Sequence, residues 1–272
     1  MDRDNELSRF LKSRRARLRP EDVELPYTNP VPRRVRGLRR EELALLAGVS
    51  VTHYTRLEQG NSRNVSAEVL DAIAGALRLD ADERAYLHAL AHPAREIRSA
   101  ATTSVRPGLQ TLLDSMVLTP AFVVGRHAEV VAWNRLAAAV FADFAALAPE
   151  FRTIAHLVFL DENIRHLHGD AWPTLAREHV AQLRLLAARH PTDPRIMATV
   201  DSICQRSPYF RTLWHEHHVA TPTHRTYTLN HPTVGPLHLS AESLSLPTDP
   251  TLQSLNLFAA TPPPHQKPNS AT

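Results

Sequence analysis

The chain of 272 residues has one cysteine, Cys204, and only 8 glycines. A single thiol closes no disulfide within the chain, so a disulfide-stapled scaffold is excluded and a reduced, cytoplasmic setting is expected. Glycine is too scarce for a phosphate-cradling loop, and neither a dinucleotide fingerprint nor a G-x-S-x-G elbow occurs, so no enzyme activity is expected. No apolar run is long enough to span a bilayer, and the charged N-terminus lacks the apolar segment of a secretion signal; no membrane partner is expected. Formal net charge is only +3. Yet basic residues crowd the N-terminal part as Arg14, Arg15, Arg17, Arg19, Arg33, Arg34, Arg36, Arg39 and Arg40. The remainder is therefore close to neutral, and contact with a polyanion is local.

The stretch from Gly37 to Gly60 reads GLRREELALLAGVSVTHYTRLEQG. Glu41 and Glu42 place negative charge in the first turn of a helix, where exposed amides favour it. Leu43, Leu46 and Ala47 then recur at helical spacing as a buried stripe, and Ala44 is small enough for a close helix crossing. Gly48 suits a left-handed cap, Val49 plugs the turn, and Ser50 is placed to cap the next helix. From Val51 the pattern restarts, with Tyr54 and Leu57 inward and Val51, Thr52, Thr55 and Arg56 outward. Two short helices across a tight turn, beside a basic flank, predict a helix-turn-helix whose outward row enters the major groove of double-stranded DNA.

The outward residues divide by chemistry. Arg56 has the geometry for a bidentate pair with guanine, although an intrahelical pair with Thr52 or Glu58 would also occupy it. Thr52 and Thr55 suit a phosphate, a base edge or a thymine methyl; Val51 offers apolar contact alone, and His53 stands between the two faces. Asn61 and Arg63 follow Gly60 in a polar run suited to the sugar-phosphate strand. Other helices complete the unit: Glu6 to Leu18, one capped by Ser66, and Asp80 to Ala91, which stops before Pro93. Four prolines make Pro20 to Pro32 an excursion. Residues 5–92 thus form an all-α five-helix domain.

The wording GLRREELALLAGVS followed by YTRLEQGN resembles the Cro/C1-type (XRE) helix-turn-helix family, in the branch with a MmyB-like C-terminal domain. The likeness runs along nearly the whole chain. It implies that Arg40 touches the DNA backbone and that Val51, Thr52, Thr55 and Arg56 read bases. The chain departs from the commonest pattern at Tyr54 and at Arg39, which stands where a Ser or Thr cap is usual and suggests a phosphate contact in its place. Single modules of this kind bind weakly, so a homodimer on an inverted-repeat operator is expected.

Length calls for a second domain. Residues 93–105 read as a linker and 261–272 as a disordered tail. Between them, residues 106–260 begin with a helix from Gly108 to Met116 and a hairpin of Ala121 to Gly125 with Glu129 to Ala132. Helices are predicted over Trp133 to Phe144, Phe151 to Phe159, Trp172 to His190, Pro194 to Gln205 and Pro208 to His215. Strands are predicted over Thr223 to Leu229, Pro236 to Leu246 and Leu252 to Ala260. Together these make an α+β domain, an antiparallel sheet covered by helices. The segments RPGLQTLLDSM, AFVVGRHAEVVAWN, RSPYFRTLWHEHHV and NHPTVGPLHL resemble the MmyB-like domain. That likeness implies a PAS-like fold that senses a small apolar ligand such as a fatty acid.

From the pattern, the ligand-lining set is Phe122, Val124, Val131, Trp133, Phe159 and Trp214, each of which would serve equally as ordinary core. His166 and His168, and the run from His215 to His218, lack the convergent spacing of a zinc site, so they are expected to be solvated or to cap helix ends, with no metal. Cys204 reads as a buried packing residue. Two alternatives remain for the C-terminal domain: an enzyme or metal sensor, or an antitoxin-like protein-interaction module.

Overall fold

The computed structural model describes residues 3–23, 37–61, 65–93, 105–216, 225–247, 249 and 251–262. Its helices are α1 (Arg3–Arg17), α2 (Arg40–Leu46), α3 (Val51–Glu58), α4 (Ala67–Ala76), α5 (Ala81–Ala91), α6 (Pro107–Ser115), α7 (Arg135–Val140), α8 (Ile154–Leu160), α9 (Glu162–His168), α10 (Trp172–Arg189), α11 (Pro194–Arg206) and α12 (Pro208–His215). The strands are β1 (Ala121–Gly125), β2 (Val130–Trp133), β3 (Arg225–His231), β4 (Gly235–Ser245) and β5 (Leu252–Ala260). By contact, unit 1 comprises Met1–Ile97, Val180–Ala198 and Arg211–Thr221, and unit 2 the remaining Arg98–His179, Thr199–Phe210 and Pro222–Thr272. Residues 94–104 and 263–272, which hold most of the expected linker and tail, lie outside the described residues, as do 24–36 of the proline excursion.

Unit 1 is helical, with the predicted caps at Ser50 and Ser66 and, of Asp80 and Asp82, Asp80 at α5. The side chain of Ser50 accepts from the His53 amide, that of Ser66 from Val69, and that of Asp80 from Glu83. Each occupies one of the amides a helix start leaves without a partner. Leu7, Phe10 and Leu11 of α1 meet Leu43 and Ala44 of α2, Tyr54 and Leu57 of α3, Leu70 and Ile73 of α4, and Tyr86 and Leu87 of α5 in one core. Ala188 joins the same core. Gly60 has φ of +95°, and a Cβ there would lie 2.3 Å from the Asp4 carbonyl oxygen, so this turn requires glycine.

A buried charge cluster also belongs to unit 1. Arg184 is fully buried and paired with Glu6, which is 4% exposed. The Tyr86 hydroxyl donates to the same carboxylate at 2.8 Å. Arg184 in turn donates to the Trp214 carbonyl, and its guanidinium carbon lies 4.4 Å above the Trp214 ring. Trp214 was expected among the ligand-lining residues of the sheet; its ring instead stacks on this arginine, within unit 1. Nothing local marks it for that place.

In unit 2 the five strands run in the order β2-β1-β5-β4-β3, every neighbouring pair antiparallel. Phe122, Val124, Val130, Leu229, Leu239 and Phe258 share one face, covered by Phe144, Leu157, Ile164 and Leu167. Ala121, Val123, Ala132 and Leu255 share the other, against Leu109 and Leu113 of α6. Alternation of this kind follows from the strand period of two. It is broken once. Phe122 pairs with Trp133 and Val123 with Ala132, but Val124 pairs with Val130, leaving Val131 unpaired in a β-bulge. Val131 consequently packs with the α6 face, not with Phe122 and Val124 as expected.

Three local expectations are also corrected. Trp133 ends β2 rather than opening a helix, because the buried Asn134 caps α7: its Oδ1 accepts from the Ala137 and Ala121 amides at 2.8 and 3.1 Å. The α9 helix is an addition; Asp161 caps it, its side chain accepting from the Asn163 amide, and His168 is the last residue of the helix, buried and not solvated. Cys204 is half-buried on α11 rather than buried.

Candidate nucleic-acid interface and ligand-binding face

The outward row of α3 is formed as the spacing predicts. Val51 is 42% exposed, Thr52 and Arg56 are exposed, and Thr55 and His53 are half-buried, while Tyr54 and Leu57 on the opposite side are fully buried. Gly48, at φ +65°, makes the turn between α2 and α3. Ser50 and Asn61 bracket α3 and are both exposed. Arg63 lies outside the described residues. Arg39 is the N-cap of α2, but a guanidinium has no acceptor atom; its backbone amide instead donates to Glu42 at 2.8 Å. That bond is the reciprocal half of a capping box, in which the N3 carboxylate accepts from the N-cap amide.

Behind this row lies Glu58, which in the sequence stands out only as a neighbour of Arg56. Glu58 is fully buried, and its carboxylate accepts from Arg15 Nε at 2.7 Å, from the Tyr54 hydroxyl at 3.1 Å, and from Arg40 Nε. Arg15 also reaches the Leu38 carbonyl at 2.6 Å. Burial alone would raise the Glu58 carboxyl, but the hydrogen bonds from Arg15 and Arg40 outweigh it and hold the group below the usual carboxylate range. Burial, then the Glu58 charge, pushes the Tyr54 hydroxyl up, so tyrosine stays a donor. Arg40 thus has one edge held by protein and 44% of its side chain exposed. Glu58 is committed to these partners, which removes it as the intrahelical alternative for Arg56. The available signal was its position four residues after Tyr54, on the same helix face.

In unit 2 the rings form a connected row. Trp133 lies 5.3 Å from Phe144, Phe144 6.0 Å from Phe122, Phe122 5.4 Å from Phe258, and Phe258 6.1 Å from Tyr227. Of the expected lining residues, Phe122, Val124 and Trp133 are brought together on this face. Phe159 packs instead against Phe210 at 4.9 Å and Trp172 at 6.3 Å. Phe141, Phe144, Tyr227 and Phe258 were missed: the first two follow the end of so short a helix as α7, and the others stand on strands far away in sequence.

Three buried histidines, His127, His156 and His168, lie in this unit. His156 has Nδ1 2.8 Å from Thr153 Oγ1 and Nε2 3.2 Å from Ser202 Oγ. Burial, with a smaller contribution from Arg206, lowers it to about 4. Burial alone lowers His168, whose ring lies 5.7 Å from that of Tyr227, to about 4. Both fold as neutral rings and ionise more easily once unfolded, near 6.5. Their contribution to stability is complete above that value and is lost as pH falls towards about 4. Thermal melts between pH 7 and 4 should show falling stability, and a His156→Asn, His168→Asn double variant a flatter profile; identical pH slopes would contradict the assignment. Among the described residues, no three His, Cys, Asp or Glu side chains are grouped to hold a metal ion, and no helix is long and apolar enough to cross a membrane.

These two sites define a class. A helix-turn-helix domain model matches residues 6–87, and the model of the MmyB-like transcription regulator ligand binding domain matches residues 105–267, more than half of the chain. A DNA-binding helix-turn-helix joined to a ligand-binding domain makes a ligand-responsive transcription regulator. The chain belongs to the MmyB-like transcription regulators. No curated protein matches it.

Proposed function

We propose that the protein is a cytoplasmic regulator, not an enzyme, that reads its operator in the Cro/C1 manner and responds to an apolar acid such as a fatty acid. The exposed row of α3, backed by buried Tyr54 and Leu57, carries this reading. In it, Val51, Thr52, Thr55 and Arg56 face base edges. Arg39, Arg40, Ser50, His53, Asn61 and Arg63 contact the sugar-phosphate strands. Two copies bind an inverted repeat, and the five-stranded sheet of unit 2 acts as a PAS-like sensor. Ligand changes operator affinity because it binds two states of the protein unequally.

The two arginines separate the roles. Arg56→Ala is expected to relax preference at one base position, worth about 1–3 kcal/mol of discrimination. Arg40→Ala should weaken binding to operator and random DNA alike and lower the salt slope by about one. Competition binding over a salt series measures both. Equal losses on the two DNAs for both variants would refute the division, and a single protected half-site would refute the dimer.

A further inference from the structure

Two helices carry residues of both units. The first residues of α10 and α12 belong to unit 2 and their last residues to unit 1. Their beginnings meet one ring: Phe159 of α8 lies 6.3 Å from Trp172 and 4.9 Å from Phe210, and the Trp172 indole N–H donates to the Val158 carbonyl at 2.9 Å. Further along, the same helices meet at one cation, where Arg184 of α10 stacks on Trp214 of α12 and donates to its carbonyl. Arg184 also pairs with Glu6 of α1, which holds the Tyr86 hydroxyl, and the Tyr86 ring stands edge-on to Phe10 of α1 at 5.0 Å. Phe10 and Tyr86 share their core with Tyr54 and Leu57 of α3. By family, Glu6 and Tyr86 fall in the helix-turn-helix match, and Arg184 and Trp214 in the ligand-binding match. A charge supplied by the ligand-binding domain is thus buried in the unit that carries the DNA-reading helix.

Stability is a weak reason for such a pair, because desolvating two charges offsets most of what their attraction gains. The attraction also demands close geometry. A helix moves as a rigid element, so a small displacement at the start of α10 or α12 arrives at Arg184. We propose that Arg184 is the positioning residue that couples the ligand state of unit 2 to operator affinity. With the pair closed, α1 and α5 are held in one arrangement against α3. With it opened by movement of α10 and α12, that arrangement relaxes and the outward row of α3 is presented differently. Ligand biases the ratio of the two states, which is what coupling requires. The assignment rests on the reading of the protein as a regulator that responds to an apolar acid, and it adds the residue through which the response passes.

Operator affinity of the full chain, with and without laurate below its aggregation limit, tests this on the DNA sequence that wild type selects from a random pool. Laurate should change wild-type affinity by about fivefold or more. The Glu6→Leu, Arg184→Met double variant leaves no buried charge unpaired. It should melt cooperatively and bind laurate as wild type does by calorimetry, yet laurate should change its operator affinity by less than about twofold. Glu6→Gln keeps the shape and removes the charge; it should lose most of the response as well, and it carries the test if the double variant does not fold. Arg14→Gln breaks a second ion pair between α1 and α5, that with Glu83, and should keep the full response. If a folded variant without the Glu6–Arg184 pair responds to laurate like wild type, the coupling role is wrong while the sensor reading stands. If Arg14→Gln loses the response to the same extent, the effect is one of general stability and the coupling role is again wrong. Should laurate leave wild-type operator affinity unchanged, both the coupling and the reading beneath it fail.

Discussion

Arg184→Ala is expected to lower the stability of unit 1 by about 3–5 kcal/mol, the cost of breaking a buried ion pair from one side. The side chain is fully buried, and its removal leaves the buried Glu6 carboxylate, which also accepts from the Tyr86 hydroxyl, without this cation. It also removes the cation stacked on Trp214 and the donor to that residue's carbonyl. Urea unfolding followed by far-ultraviolet circular dichroism measures the loss. Replacing both partners, Glu6→Leu with Arg184→Met, should recover much of it, because no charge is then left unpaired. A change below about 1 kcal/mol in the single variant would show that the pair is solvated in solution.

Glu58→Gln is expected to weaken both folding and DNA binding. A neutral amide replaces the carboxylate that accepts from Arg15, Tyr54 and Arg40, and each hydrogen bond to a charged group is worth about 1.5–3 kcal/mol. Arg40 then loses the buried group that orients it. On the proposed reading, affinity for operator and random DNA should fall together, measured well below the melting temperature. The pH dependence gives a second readout. The folded carboxyl lies below its ordinary value, so its contribution is complete above the usual glutamate range and is lost as pH falls through the depressed folded value. Wild type should therefore lose stability on the acid side more steeply than Glu58→Gln. Parallel acid limbs would mean that Glu58 is not ionised in the fold.

Much of unit 1 was legible because its signals are local. Ser50, Ser66 and Asp80 cap their helices through bonds three residues away, and Gly48 supplies a backbone angle that its own lack of a side chain permits. The strands of unit 2 were legible for the same reason, since alternation is read within a few residues. The ring-lined face of the sheet was less so. Phe122, Val124 and Trp133 do share one face, but the bulge at Val131 depends on how β2 pairs with β1, and a shift of one residue moves a side chain to the opposite face.

Local spacing is enough to specify the helix-turn-helix, its turn, the outward row of α3 and the strands of an antiparallel sheet, because each rests on residues within one or two turns or one strand. Tertiary structure alone decided which charges are held and where. The Arg15–Glu58 bond joins residues 43 apart, and the Glu6–Arg184 pair joins residues 178 apart. Arg152 and Trp133 meet only once the sheet and its covering helices have formed. Burial turns these charges from solvated surface groups into specific partners, and burial is a property of the folded chain, not of any short run of residues.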